Sequence, residues 1–163
     1  MTNYAQQEIK YLVDTNVLIG FSLWTPILLN GGFWEKLEKS LEDGKWVLLD
    51  VVIKEIKYNP ELVRWCKKQE KKGLVQKICE DNKYRAIEIN NRYKMIDEVT
   101  QKSTVDTYLI AYAEANNLGI FSRESPRANP ADLYKIPDVC KELNISRIKQ
   151  PMVFLKSIGF KPA

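Results

Sequence analysis

The sequence predicts a layered α/β domain with a central, mainly parallel sheet. Three observations carry that reading. Short apolar runs at Lys10 to Val13, Trp46 to Leu49 and Ile120 to Ser122 have the length and bounding turn residues of buried strands. The segments between them carry helical spacing and helix-cap residues. Strand and helix alternate without an internal repeat or a low-complexity linker, which fits one domain over residues 1–163.

Each element has its own local cause. The first strand ends abruptly at Asp14-Thr15-Asn16, and Val17 to Leu23 opens a helix interrupted near Thr25-Pro26 and Asn30-Gly31-Gly32. Phe33, Leu37 and Leu41 share one face of the next helix, which Asp43-Gly44 ends. After the second strand, Asp50 can cap a helix running through Glu55 and Ile56. Asn59-Pro60-Glu61 is a helix start, with a cap, a proline at the first position and an acid near the positive end of the dipole. From there to about Lys102 the chain favours two or three helices, broken near Gly73 and around Asp81-Asn82. Val105 to Asn116 forms a further helix, ended by Asn117 and Gly119. The third strand leads into a polar loop, Arg123 to Pro130. Pro137 opens a short helix ending near Asn144, Ile145 to Ile148 forms a last strand, and Pro151 to Ile158 a last helix.

Composition narrows the chemistry. At 163 residues, with 28% charged residues, the chain can bury a core without disulfides or structural metals. No run is long enough to cross a membrane as a helix, and the polar start, Met1 to Lys10, has the features of neither a signal nor a transit peptide. Cys66, Cys79 and Cys140 are odd in number and widely spaced, which suits a reducing cytosol. The chain contains no histidine. Histidine-based acid–base catalysis, Ser-His and Cys-His nucleophiles, and histidine-rich zinc sites are therefore excluded. Carboxylates are left as the working groups, and clustered carboxylates suit a hard cation such as Mg²⁺ or Mn²⁺.

Four acids stand out, each with an ordinary structural role available. Asp14 follows the first strand and would serve as a turn or N-cap residue. Glu55 would face solvent on a helix. Asp106 completes a capping box, Ser103-x-x-Asp106. Glu124 would be a loop charge. What unites them is position, since each falls at the carboxyl edge of a predicted strand or on a helix beginning from that edge. Active crevices of parallel sheets lie there. Four like charges around one crevice repel, and a bound cation removes that cost. Such a cation polarises a phosphate oxygen and lowers the pKa of bound water, so phosphodiester hydrolysis fits.

With these residues placed, the chain resembles the PIN-domain ribonucleases. The resemblance rests on "YLVDTNVLI", "LLDVVIKEI", "TVDTYLIAYAEANNLGIFSRES" and "KIPDVCKELNI", from Lys10 to about Ile148. The "IPDVC" element is similar to a less characterised PIN-like branch. The resemblance implies a three-layer α/β/α sandwich and a metal-dependent endoribonuclease acting on single-stranded RNA. It implies that Asp14, Asp106 and Glu124 are metal ligands and that Glu55 completes the acidic site. Asn16 would orient the acids, Ser122 would assist at the third strand's end, and Asp138 is a further acid that could approach the site, with an equally good ordinary role at the positive end of the helix that Pro137 starts. Glu124 stands where the family more often has Asp. Many such nucleases are toxins paired with a small antitoxin protein that fills the site, others act alone, and homodimers are common.

Two rivals remain. A haloacid-dehalogenase-type phosphatase also places an acid after its first strand, but it needs a second Asp two residues on, where this chain has Asn16. A catalytically inactive RNA- or protein-binding module would have no use for a repulsive acid cluster. For contact with RNA, Lys54, Lys57, Lys67, Lys68, Lys71 and Lys72, with Arg64, Arg85 and Arg92, are candidates for the phosphate backbone. Trp65, Tyr84 and Tyr93 are candidates for base stacking, although aromatics at helical spacing are more often core.

Overall fold

The structure is a computed structural model and describes residues 8–161. Its sheet comprises β1 (Tyr11–Val13), β2 (Gly119–Phe121) and β3 (Arg147–Ile148), in that spatial order and all parallel. On the other side of β1, Val47 forms a parallel bridge to Leu12, and beyond it Leu49 bridges Gln76. The ladder is carried outward by Val47 N–H to Tyr11 O at 3.0 Å and Gln76 N–H to Leu48 O at 2.9 Å. The chain thus starts at the centre, builds one side, then returns past β1 to build the other. That reversal leaves a crevice at the carboxyl ends of β1 and β2, the position where open parallel sheets bind ligands.

The strands are short because they are buried on both faces: Leu12, Val13, Ile120 and Phe121 are fully buried. Gly119 pairs with Tyr11, and a Cβ there would meet the Tyr11 ring at 2.5 Å, so only glycine fits at this point of the sheet.

Among the described residues, eight helices surround the sheet: α1 (Thr15–Trp24), α2 (Gly31–Glu42), α3 (Asp50–Glu55), α4 (Pro60–Lys71), α5 (Glu80–Arg92), α6 (Thr104–Asn116), α7 (Ile136–Leu143) and α8 (Pro151–Ser157). Asn59 caps α4 as its sequence predicts, its side chain accepting the N–H of Leu62 at 3.1 Å. Asn117 ends α6 in the left-handed conformation, φ 53°. The expected break around Asp81-Asn82 is absent, and both residues lie inside the first turn of α5. Asn82 there accepts the N–H of Cys79 at 3.1 Å, so the polar pair starts the helix instead of interrupting it.

Aromatic residues join the layers. Phe121 of β2 lies 4.8 Å from Phe154 of α8 and 6.2 Å from Phe21 of α1, centroid to centroid. Trp34 of α2 meets Trp65 of α4 edge-on at 5.2 Å. The buried indole of Trp46 donates to Ser40 Oγ at 2.9 Å, which meets the hydrogen-bonding need of a polar tip in the core. No helix among the described residues is long and apolar enough to cross a membrane.

Candidate active site

The end of β1 places the first acid. Asp14 N–H donates to Phe121 O at 3.0 Å, continuing the β1–β2 ladder by one residue. Its extended backbone makes it the N-cap of α1, yet its carboxylate forms no cap hydrogen bond. The carboxylate instead accepts the hydroxyl of Ser122 at 3.3 Å, and Ser122 Oγ accepts the N–H of Glu124 at 3.2 Å. One buried serine therefore ties the ends of two neighbouring strands together. Thr15, next in the chain, donates its hydroxyl to Glu55 Oε2 at 2.5 Å and so links α1 to the end of α3.

Asp106 arrives from the first turn of α6. Its expected capping box does not form, because the N-cap Ser103 is left-handed, φ 71°, and its side chain makes no cap hydrogen bond. The acid is free to face the crevice. Glu124, in the loop after β2, accepts the N–H of Ile136 at 3.2 Å and thereby joins the start of α7 to the site.

Asp14, Glu55, Asp106 and Glu124 line a single cavity of about 460 Å³. Burial pushes the Asp14 carboxyl up to about 7, with the charge of Glu124 adding to the effect and that of Glu55 contributing less. Burial likewise pushes Asp106 up to about 8, reinforced by Asp14 and then Glu124. Among the described residues, no three acid or cysteine side chains converge as a ready-made metal-ligand set. The carboxylates line the wall of an open pocket, and all their donors are oxygens. A larger cleft, about 530 Å³, opens beside Lys10 and Tyr11 at the other end of β1, with mixed charges and none of the four acids.

The remaining expected contributors divide between the pocket and other parts of the fold. Asn16 also lines the pocket but is exposed, and the hydrogen bond that this turn gives a site acid comes from Thr15. Asp138 is not among the pocket residues. Its carboxylate accepts the N–H groups of Lys135 at 2.9 Å and Arg127 at 3.1 Å, capping α7 and fastening the loop that precedes it. Part of the basic middle of the chain is engaged in surface ion pairs: Lys68 and Lys72 pair with Glu38 of α2, and Lys67 with Glu70. Arg85 grips Glu114 through two nitrogens, at 2.6 and 3.0 Å. Trp65 and Tyr93 are 8% exposed and belong to the core.

Sequence reasoning missed two features. Thr15 had no signal beyond its place between Asp14 and Asn16. Lys102 also lines the pocket, beside Lys57, which the sequence had already offered as a phosphate contact. Lys102 stands between Gln101, φ 59°, and Ser103, φ 71°, two left-handed residues that no glycine marked in advance. Holding a non-glycine residue there costs on the order of 1 kcal/mol or more, so the surrounding turn must enforce it.

The family described as "Domain of unknown function (DUF4411)" matches residues 11–161. The chain belongs to DUF4411. The DUF4411 match runs from the first residue of β1 past α8, and so takes in all four acids and both sides of the sheet. No curated protein matches the chain. A solved structure described as a toxin-antitoxin complex from Klebsiella pneumoniae is similar at a TM-score of 0.44 and 17% identity, over 71% of this DUF4411 chain and 87% of that one. A likeness of that size assigns no function.

Proposed function

We propose that this DUF4411 chain is a divalent-metal-dependent endoribonuclease of the cytoplasm that hydrolyses phosphodiester bonds of single-stranded RNA, on a PIN-like three-layer α/β/α framework. One observation carries the reading: the buried Asp14 and the half-buried Asp106 share one pocket with Glu55 and Glu124, at the carboxyl ends of β1 and β2 where the order of strand addition reverses. Such a cluster is costly without a cation, and its all-oxygen donors suit Mg²⁺ or Mn²⁺. Mg²⁺ in such a pocket would keep several waters and take one or two protein carboxylates together with substrate phosphates.

Asp14 and Asp106 would hold the ion, which when bound supplies Lewis acidity toward a phosphate oxygen and a water of lowered pKa. Ser122 fixes the orientation of Asp14, and Thr15 that of Glu55. Glu124, anchored to α7, sets the far wall and adds to the negative potential that draws the cation. The backbone ladder through Asp14 and Phe121 keeps this wall rigid, so the acids need little reorganisation when substrate arrives.

The test is cleavage of labelled single-stranded RNA with Mg²⁺ or Mn²⁺ against EDTA. Asp14→Asn and Asp106→Asn should abolish cleavage and the metal-induced rise in melting temperature. No cleavage and no metal-dependent shift in the unaltered chain would sink the reading. The toxin role implied by the PIN resemblance adds one expectation: a small antitoxin protein that covers the pocket should silence cleavage, and its removal should restore it.

A further inference from the structure

The acidic pocket also takes in Lys57, from the loop after α3, and Lys102, from the turn before α6. Among the described residues, neither ammonium group lies within ion-pair distance of a carboxylate, although four carboxylates line the same pocket. Both residues are exposed, so their ammonium groups are available to a ligand entering the pocket.

Lys102 is moreover held in place. Asp97 Oδ1 accepts the N–H groups of Val99 and Thr100, both at 2.9 Å, and Gln101 N–H donates to Asp97 O at 2.8 Å. Lys102 N–H donates to Thr100 Oγ1 at 3.3 Å, and the Thr104 hydroxyl donates to Gln101 O at 2.7 Å. The N–H groups of Thr100 and Val99 hold the Asp97 carboxyl below its ordinary range, with the charge of Lys102 a smaller influence. Left-handed backbone on both sides of Lys102 completes a turn shaped to present one side chain to the pocket.

We propose that Lys57 and Lys102 form a phosphate clamp, gripping non-bridging oxygens of the bound RNA strand and setting which phosphodiester faces Asp14 and Asp106. The proposal rests on the nuclease reading and extends it to substrate positioning. A wall of carboxylates alone repels a polyanion. Ammonium groups cannot ligate a cation, so their place in that wall is explained by attraction to phosphate, with charge-assisted hydrogen bonds to its oxygens.

The test uses the full chain carrying Asp14→Asn, which removes cleavage, and measures binding of a short single-stranded RNA across a monovalent salt series. Losing one phosphate contact lowers the slope of log affinity against log salt by about 0.7 for a single strand. Lys57→Ala and Lys102→Ala should each lose about that much, and the double variant about twice it. Lys102→Arg should restore the slope. Lys39→Ala, on α2 outside the pocket, should leave it unchanged. Slopes in the pocket variants equal to that of Lys39→Ala would overturn the clamp while leaving the nuclease reading standing. Failure of the Asp14→Asn chain to bind RNA at any salt would overturn both.

Discussion

The hydroxyl of Ser122 donates to the carboxylate of Asp14 at 3.3 Å, joining the ends of adjacent parallel strands across 108 residues of sequence. Both residues are buried. This bond lowers the pKa of Asp14 against the larger effect of burial, so it favours the charged form that a cation needs. Ser122→Ala should cost about 1 kcal/mol of stability, read by urea unfolding. It should slow RNA cleavage by roughly tenfold or more, as loss of a group orienting a metal ligand does. An unchanged single-turnover rate would show that Asp14 is positioned by its backbone alone.

The pH dependence of stability follows from Asp14 and Asp106. An unfolded Asp releases its proton near 3.8, whereas these two retain theirs to about 7 and about 8 in the folded chain. Between those limits the folded state binds more protons than the unfolded state. Their favourable contribution is therefore fully present below 3.8 and lost as pH rises through 7 and 8. The metal-free chain should lose on the order of a few kcal/mol between mildly acidic and mildly alkaline pH. Urea melts across that range should show the fall, and Asp106→Asn should flatten it.

Protons and cations compete for the same carboxylates. The rise in melting temperature on adding Mg²⁺ should accordingly be larger at pH 8.5 than at pH 6, where Asp106 is largely protonated. Calorimetry at the two pH values, with EDTA as the reference, checks the difference. Equal shifts at both would place the ion away from Asp14 and Asp106.

Asp138 gives the opposite expectation. Its carboxylate holds the N–H of Lys135 at the start of α7 and that of Arg127 in the preceding loop, outside the pocket. Asp138→Ala should cost about 1 kcal/mol, as loss of a helix cap does. Cleavage measured well below the melting temperature should be nearly unchanged, and a loss comparable to that of Asp106→Asn would return Asp138 to the site.

Much of this architecture could be read from the chain because its signals are local. Asn59-Pro60 starts α4 and Asn117 ends α6 through chemistry confined to a few residues. The apolar run at 11–13 has only one environment in which it can be buried on both faces. What escaped was fixed by distant partners. The segment around Gln76 is short and lies next to Gly73, and its bonds to Leu48 and Asp50 make it an extension of the sheet. The helix expected to run through Glu55 and Ile56 stops at Glu55, where Ile56 becomes extended and buried in the core. The acids could be grouped in advance by their relation to strand ends. Lys57 stood among the basic residues offered for RNA, but Lys102 did not, since the turn that presents it depends on a left-handed Gln101 and Ser103 that nothing in their identity announces.

The parallel pairing of β1 with β2 carries a consequence for synthesis. Asp14 emerges early from the ribosome, but its neighbours in space, Asp106, Ser122 and Glu124, are added more than ninety residues later. No earlier fragment holds the acids together, however well its helices form. Long-range pairing of this kind closes late because the chain entropy of a large loop must be overcome first. The full set of four acids can therefore assemble only after Glu124 has been added, although the Thr15–Glu55 link that builds one side of the pocket lies within the first 55 residues.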